Sequence, residues 1–219
     1  MNHKIVKSTL LVNLFLFCAG SIFAQSKSEE LLNKVSEELS SYQTMSLAFD
    51  YSLENPAEGV SQETNGTAYL KGDKYHIDFL GSIFLFDGSR TIVIIPDDEE
   101  INISEGAMDD EGMMTPTKLL SFYKEGYTYQ WDLKIQENGK NIQFIRLIPI
   151  DSNSEVGSML LGIDVDKNQI YKLIETGKDG VVTTFKITSF KHNEELDSGL
   201  FEFDQAKYEA LDYIINDTE

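Results

Sequence analysis

The sequence has little of the material from which catalytic and metal sites are commonly built. Its 219 residues include one cysteine and three histidines. A single cysteine excludes a disulfide framework and a cysteine-rich metal site. The sequence also contains no HExxH, GxSxG, P-loop or GxGxxG motif. We therefore predict that the protein is not an enzyme and that it uses no catalytic residue, metal ion or cofactor.

Positive charge is scarce as well, with 18 Lys and Arg against 37 Asp and Glu and a net charge of −19. Nucleic acids and anionic lipid surfaces both require Lys or Arg opposite their phosphates. We therefore expect no nucleic-acid partner and no stable membrane anchoring. Hydrophobic residues make up 41% of the chain and aromatic residues 11%, which is enough for a sizeable core and argues against intrinsic disorder.

The beginning of the sequence has the three-part pattern of a secretory signal peptide. Lys4 and Lys7 precede an apolar run over residues 10–17, and a break of small residues ends at Ala24. The run is too short to span a bilayer, which takes about 20 residues. We expect residues 1–24 to be a cleaved signal peptide that sends the protein to the periplasm, and residues 25–219 to form a single domain.

Cys18 allows an alternative, in which the chain is itself a lipoprotein acylated on that residue. The bulky Phe17 disfavours this alternative, because such processing prefers a small residue just before the cysteine. Cleavage after Ala24 would instead remove two lysines and no acidic residue. The mature chain would then carry 16 basic and 37 acidic side chains and no cysteine.

The apolar pattern of the mature chain changes after Thr44. Before it, Leu31, Val35 and Leu39 are spaced by four residues, which predicts an amphipathic helix within residues 26–44. After it, apolar and polar residues alternate with a period of two, as in strands. The predicted strands are 45–53, 66–71, 74–79, 83–86, 91–95, 100–104, 127–135, 141–150, 158–165, 169–175, 181–190 and 200–203. They predict a mainly β protein with one large curved antiparallel sheet.

A short apolar segment interrupts these strands. Thr115 suits a helix N-cap and Pro116 the first helical position, which predicts a short helix from Pro116 to Tyr123. More than half of its circumference is apolar, and methionines precede it: Leu119, Leu120, Phe122, Tyr123 and Met108, Met113, Met114. The helix is either a plain core helix or one that buries one side and offers the other to an apolar ligand.

The residues from Asp164 to Glu175 have the ligand spacing of a calcium loop. However, Gln169 occupies the position at which the sharp turn of such a loop needs glycine. The flanking residues alternate as strands, whereas a calcium-binding EF-hand requires helices there. We therefore predict a β-hairpin at this point and no calcium site.

Several short motifs follow one another in a characteristic order. They are the opening helix, Met45–Asp50, Gly66–Lys71, the alternating Tyr75/Ile77/Phe79, Asp87-Gly88 before Pro96, Thr115-Pro116, and the closing residues from Asn193 to Phe203. In this order and spacing, the chain resembles the LolA-type family of periplasmic outer-membrane lipoprotein carriers. The resemblance covers residues 28 to 215.

This resemblance implies an incomplete antiparallel β-barrel of about 11–12 strands wrapped around an apolar cavity, with an N-terminal helix and a short helical lid. It also implies a monomeric chaperone that shields lipoprotein acyl chains and carries them from the inner to the outer membrane. The implied partners are an inner-membrane ABC-type lipoprotein release complex and an outer-membrane lipoprotein acceptor. The residues expected to line the cavity and lid are Leu31, Val35, Leu47, Phe49, Tyr75, Ile77, Phe79, Phe84, Phe86, Ile92, Ile94, Met114, Leu119, Leu120 and Tyr123.

The sequence departs from the family pattern in two places. Many members have an Arg-Pro pair after the equivalent of Lys71, with the arginine implicated in lid closure, but Gly72-Asp73 stands here. Ile92 and Ile94 replace a usual Trp and Tyr. These changes leave two alternatives open. One is a lipid-binding envelope-stress sensor on the same scaffold. The other is an enzyme acting on a lipid-like substrate, which the scarcity of nucleophiles disfavours.

Overall fold

β-Strands account for most of the described residues in the computed structural model, which describes residues 27–107 and 121–218. The strands are β1 (Thr44–Asn55), β2 (Val60–Lys71), β3 (Lys74–Phe79), β4 (Ser82–Phe86), β5 (Arg90–Ile95), β6 (Glu100–Glu105), β7 (Tyr127–Glu137), β8 (Lys140–Pro149), β9 (Val156–Asp164), β10 (Gln169–Gly177), β11 (Val182–His192) and β12 (Ile214–Thr218). The predicted alternation is visible in β1, where Met45, Leu47 and Phe49 are buried. The fold is mainly β, as the sequence predicts.

Helical structure is confined to short stretches of the described residues. Helix α1 covers residues 27–40, and its buried side chains Leu31, Val35 and Leu39 are those that the spacing of four predicts. Helix α2 (Gln205–Glu209) begins after Asp204, whose carboxylate accepts a hydrogen bond from the Lys207 amide. Single 3-10 turns lie at Pro96–Asp98, Phe122–Lys124 and Ser198–Phe201.

All of these strands belong to one sheet, in the order β12-β6-β5-β4-β3-β2-β1-β11-β10-β9-β8-β7. Every neighbouring pair is antiparallel except β12 and β6, which are parallel. Strand β1 lies near the middle and joins the two halves, because it pairs with β2 on one side and with β11 on the other. Strands β7 and β12 form the two edges, so the sheet is open.

The sheet curls around helix α1. Strands β4 and β8 are seven positions apart in the sheet, which would separate them by about 34 Å if the sheet were flat. Phe86 of β4 and Ile145 of β8 nevertheless belong to the same buried cluster as Leu31 and Val35 of the helix. We call the face that packs on α1 the inner face and the opposite one the outer face. The result is the incomplete β-barrel that the sequence predicts.

The outer face of β4, β5 and β6 is covered by the chain that follows β11. A second apolar cluster forms there, with a buried set from the strands and a partly buried set from the covering segment: Leu85, Ile92, Ile94, Ile101 and Ile103 against Phe203, Tyr208, Tyr213 and Ile215. His76 holds the start of this segment, because its Nδ1 lies 2.8 Å from the carbonyl oxygen of Leu200.

The structure corrects the sequence-based strands in three places. Residues 200–203 do not form a strand. Instead the Asp197 carboxylate accepts a hydrogen bond from the Gly199 amide and starts a 3-10 turn. The sequence does not predict strand β12, because its residues Ile-Ile-Asn-Asp-Thr do not alternate between apolar and polar side chains. Strand β7 contains a bulge between Trp131 and Lys134, which leaves Leu133 49% exposed.

The predicted hairpin at Asp164 is confirmed. Strands β9 and β10 pair directly across it, with Gln169 opposite Asp164.

In the part of the chain that the structure describes, no helix has the length and apolar character needed to cross a membrane.

Candidate functional site

The inner face is a continuous apolar surface built by the strand period of two. In β1, β2 and β3, residues that are paired across the strands share this face: Phe49 pairs with Gly66, Leu47 with Ala68, and Tyr75 with Leu70. Helix α1 lies against this surface and contributes one side of the same cluster.

Most of the predicted cavity residues come together in this cluster. Seven are buried: Leu31, Val35, Leu47, Phe49, Tyr75, Phe86 and Tyr123. Three more, Ile77, Phe79 and Phe84, are partly buried and pack against them. Within β3, Asp78 is exposed, and His76 contacts the outer covering segment. The inward direction of Tyr75, Ile77 and Phe79 thus follows from the alternation.

Ile92 and Ile94 are not among them, which corrects their prediction as cavity residues. Both side chains lie in the outer cluster. The cause is the pairing of β4 with β5, in which Phe84 lies opposite Val93. This register places Val93 on the inner face and its two neighbours outside. Strand β5 is apolar on both faces, so its sequence does not reveal which residues point inward.

The predicted lid helix is described only at its end. Met114, Leu119 and Leu120 lie outside the described residues. The described part, Phe122–Lys124, is a 3-10 turn. Within this turn, the side chain of Tyr123 is fully buried in the inner cluster.

Sequence reasoning missed the second half of the inner face. Strands β8 to β11 contribute Ile145, Leu147, Met159, Leu161, Ile163, Ile170, Leu173 and Ile187. These strands were predicted, but both of their faces carry apolar side chains. Their alternation alone could not identify the inner set, which depends on the pairing register.

Aromatic rings from β1, β3 and β11 line the inner face, and we call this group the aromatic wall (Phe49, Tyr51, Phe79 and Phe185). Phe49 is central, with ring centroids 5.4 Å from Phe79 and 4.4 Å from Phe185. Tyr51 meets Phe79 edge-on at 5.2 Å. Phe49 is buried, while the other three rings are only partly buried. The wall therefore combines a fixed centre with a partly accessible apolar surface.

Few polar groups interrupt this face. Glu175 of β10 is paired with Met159 of β9 and therefore faces inward, and burial raises the pKa of its carboxyl group. Burial also raises the pKa of Tyr127, and the charge of Glu175 adds to that effect. No hydrogen bond or ion pair joins the Glu175 side chain to any other described residue. The carboxylate is thus an isolated polar group on an apolar surface.

Tyr123, Tyr127 and Tyr129 lie where the 3-10 turn leads into β7. The Tyr129 hydroxyl donates to the carbonyl oxygens of Tyr123 and Lys124, at 2.7 and 3.0 Å. Burial raises the pKa of Tyr129, with further contributions from Glu29 and Glu125. Burial also raises the pKa of Tyr123 to about 12. These hydroxyls are therefore neutral at physiological pH.

A basic cluster lies on the outer face, away from the apolar surface. Lys172 and Lys186 are directly opposite each other on β10 and β11. Glu137 bridges them, with its carboxylate oxygens 2.6 Å from Lys186 Nζ and 3.7 Å from Lys172 Nζ. The hydrogen bond from Lys186 lowers the pKa of Glu137. Among the described residues, no group of three acidic, histidine or cysteine side chains is placed to hold a metal ion.

The described residues define a curled open sheet whose inner face is apolar, rich in aromatic rings and covered by one helix. The sequence model of one family, outer membrane lipoprotein carrier protein LolA, matches residues 40–204. The chain belongs to this family, whose members are binding and carrier proteins. No curated protein matches the chain in sequence.

Several solved structures are similar to the chain at low sequence identity. An uncharacterized conserved protein from Thermus thermophilus superposes with a TM-score of 0.55 at 11% identity, over 88% of this chain and 99% of that one. A LolA superfamily protein from Nitrosomonas europaea gives 0.42 at 12% identity, over 80% and 97%. MucB, in its complex with MucA from Pseudomonas aeruginosa, gives 0.42 at 14% identity, over 81% and 61%.

Proposed function

We propose that the protein is a periplasmic carrier that shields the acyl chains of lipoproteins on its inner face during their passage from the inner to the outer membrane. The observation that carries the proposal is the aromatic wall on the continuous apolar inner face. Membership of the LolA family supports it. Residues 25–219 would form the single carrier domain.

The energetics favour a protein enclosure for this cargo. Each CH₂ group removed from water contributes about 0.8 kcal/mol, so an acyl chain does not leave a membrane for water at a useful rate without a partner. Shielding requires no covalent chemistry, in agreement with the absence of catalytic motifs from the sequence. We propose an inner-membrane ABC-type release complex as the source of the cargo and an outer-membrane acceptor as its destination.

Helix α1 occupies the deepest part of the inner face, where its side chain Val35 is fully buried. The helix must therefore move or share its place for cargo to reach that part. The partly buried rings of Tyr51, Phe79 and Phe185 offer the first contact. An acyl chain that enters along these rings would exchange its contact with water for contact with the wall.

The proposal is tested with a fluorescent fatty-acyl probe and two neighbouring substitutions. Phe79→Asn removes a ring from the aromatic wall, and we expect the Kd of the probe to rise about tenfold, as the loss of part of one buried ring implies. Leu80→Asn is the matched control, because Leu80 is 64% exposed and its φ of 54° suits asparagine. The control should bind the probe like the wild type.

Equal affinity of the two variants would contradict the role of the aromatic wall. Absence of probe binding by the wild type would contradict the carrier function itself. The alternative raised by the sequence, a lipid-binding envelope-stress sensor on the same scaffold, would also bind the probe, so this second result would contradict both functions.

A further inference from the structure

The Tyr123 hydroxyl is a polar group inside the apolar cluster that has no partner among the described residues. The side chain is fully buried, and its hydroxyl makes no hydrogen bond with any residue that the structure describes. A buried hydroxyl that gives up its hydrogen bonds to water is unfavourable unless another group replaces them. Its presence on the inner face therefore calls for an explanation.

The ring that carries this hydroxyl is held in a fixed position. The carbonyl oxygen of Tyr123 accepts a hydrogen bond of 2.7 Å from the Tyr129 hydroxyl. The ring packs edge-on against Phe122, with centroids 5.7 Å apart. Because the carbonyl oxygen is paired and the ring is packed, the hydroxyl is the group of this residue that is placed to bind something outside the described chain.

The surroundings specify the kind of group that could pair with this hydroxyl. Its pKa of about 12 keeps it protonated, so it can donate one hydrogen bond. The charges of Glu29 and Glu125 add to the effect of burial in raising the pKa of the neighbouring Tyr129. The charge of Glu175 does the same for the pKa of Tyr127. Glu29 and Glu125 are exposed and Glu175 is partly buried, and their negative charges near this end of the inner face disfavour an anionic acceptor such as a phosphate or a free fatty acid. A neutral carbonyl oxygen fits.

We propose that the Tyr123 hydroxyl donates a hydrogen bond to the ester carbonyl oxygen of a bound acyl chain. This inference rests on the proposed carrier function and adds a chemical preference to it. The protein would then distinguish ester-linked acyl chains from ether-linked alkyl chains, which bury the same hydrocarbon and lack the carbonyl oxygen.

The test compares two glycerol lipids of equal chain length, a 1-monoacylglycerol and the matching 1-O-alkylglycerol, by displacement of a fluorescent fatty-acyl probe. We expect the wild type to bind the ester at least about threefold more tightly than the ether. Tyr123→Phe keeps the ring and removes only the hydroxyl. It should bind the two lipids equally and keep the melting temperature of the wild type, because the hydroxyl has no partner among the described residues to lose.

Tyr129→Phe is the control, because its hydroxyl pairs with main-chain oxygens of the turn. This variant should melt at a lower temperature than the wild type, whereas Tyr123→Phe should not. Equal binding of ester and ether by the wild type would overturn the inference without any substitution, and so would a preference that persists in Tyr123→Phe. Binding of neither lipid by the wild type would contradict the carrier function as well.

Discussion

At the scale of single residues, the inner face contains one carboxylate that its surroundings do not compensate. Glu175 is paired with Met159 on one side and Thr183 on the other. Burial raises the pKa of its carboxyl group, so the folded protein binds this proton more tightly than the unfolded chain does. The free energy of unfolding must therefore fall as the pH rises through the interval between the unfolded and folded pKa values.

We predict that Glu175→Gln stabilises the protein at neutral pH. The uncharged amide removes the cost of a half-buried charge, whereas below the ordinary pKa of glutamate both proteins are neutral at this position and should be equally stable. Thermal unfolding across this pH range measures the difference. Glu58→Gln, at an exposed turn, should not show this pH dependence. An equal response of the two variants would contradict the assignment to Glu175.

Gly66 is a second residue whose identity the inner face dictates. A Cβ atom at this position would lie 2.5 Å from Cζ of Phe49 and 2.7 Å from the carbonyl oxygen of Asp78. We predict that Gly66→Ala lowers the free energy of unfolding by about 1–3 kcal/mol, as overpacking does. Chemical denaturation measures it.

Phe49→Leu provides the check on this explanation. It removes the ring atoms that clash and leaves the main-chain contact with Asp78. The double variant should therefore lose less stability than the sum of the two single variants. Strict additivity would show that Gly66 is needed for another reason.

At the scale of elements, the C-terminal segment completes the outer face. Strand β12 pairs in parallel with β6, and Ile215 packs on the outer cluster while Ile214 is 62% exposed. We predict that Ile215→Ala lowers the free energy of unfolding by about 1–2 kcal/mol, below the range for a fully buried isoleucine because the side chain is only partly buried. Ile214→Ala should change it by less than about 0.5 kcal/mol. Equal effects in denaturation would contradict the packing of this strand.

The outer basic cluster shows how one acidic residue permits two like charges on adjacent strands. Opposed lysines on neighbouring strands repel each other, and Glu137 lies between Lys172 and Lys186. We predict that Glu137→Gln costs about 0.5–1 kcal/mol at neutral pH. Since the pKa of Glu137 is lowered, its contribution should disappear as the pH falls through the folded pKa. The double variant Glu137→Gln/Lys172→Gln should recover part of the lost free energy of unfolding, because only one lysine then remains. Chemical denaturation that shows no recovery would contradict the repulsion between the two lysines.

The elements also show which features the sequence could predict. The helix spacing of Leu31, Val35 and Leu39, and the alternation of Tyr75, Ile77 and Phe79, each identify a buried face, because their opposite faces are polar. Strand β5 has no such contrast, so the outward direction of Ile92 depends on its partner strand and was predicted wrongly. The parallel pairing of β12 with β6 joins residues 114 positions apart, such as Asn216 and Asn102, and no local pattern contains it.

At the scale of the whole molecule, the order of the strands creates an interior without closing it. Strand β1 connects the two halves of the sheet, and the edges β7 and β12 remain separate. An open sheet can change its curvature, and a helix can leave its inner face, without breaking the strand ladders. This architecture suits a carrier that must accept a bulky apolar ligand and release it again.

The most direct test of the proposed function is the capture of an acylated peptide in solution. The purified protein is mixed with a triacylated lipopeptide or with the same peptide lacking acyl chains, and complex formation is measured by size-exclusion chromatography and mass spectrometry. We predict a soluble complex with the lipopeptide, none with the bare peptide, and a weaker complex for Phe79→Asn than for Leu80→Asn. Failure to retain the lipopeptide, or equal retention of the bare peptide, would contradict the carrier function.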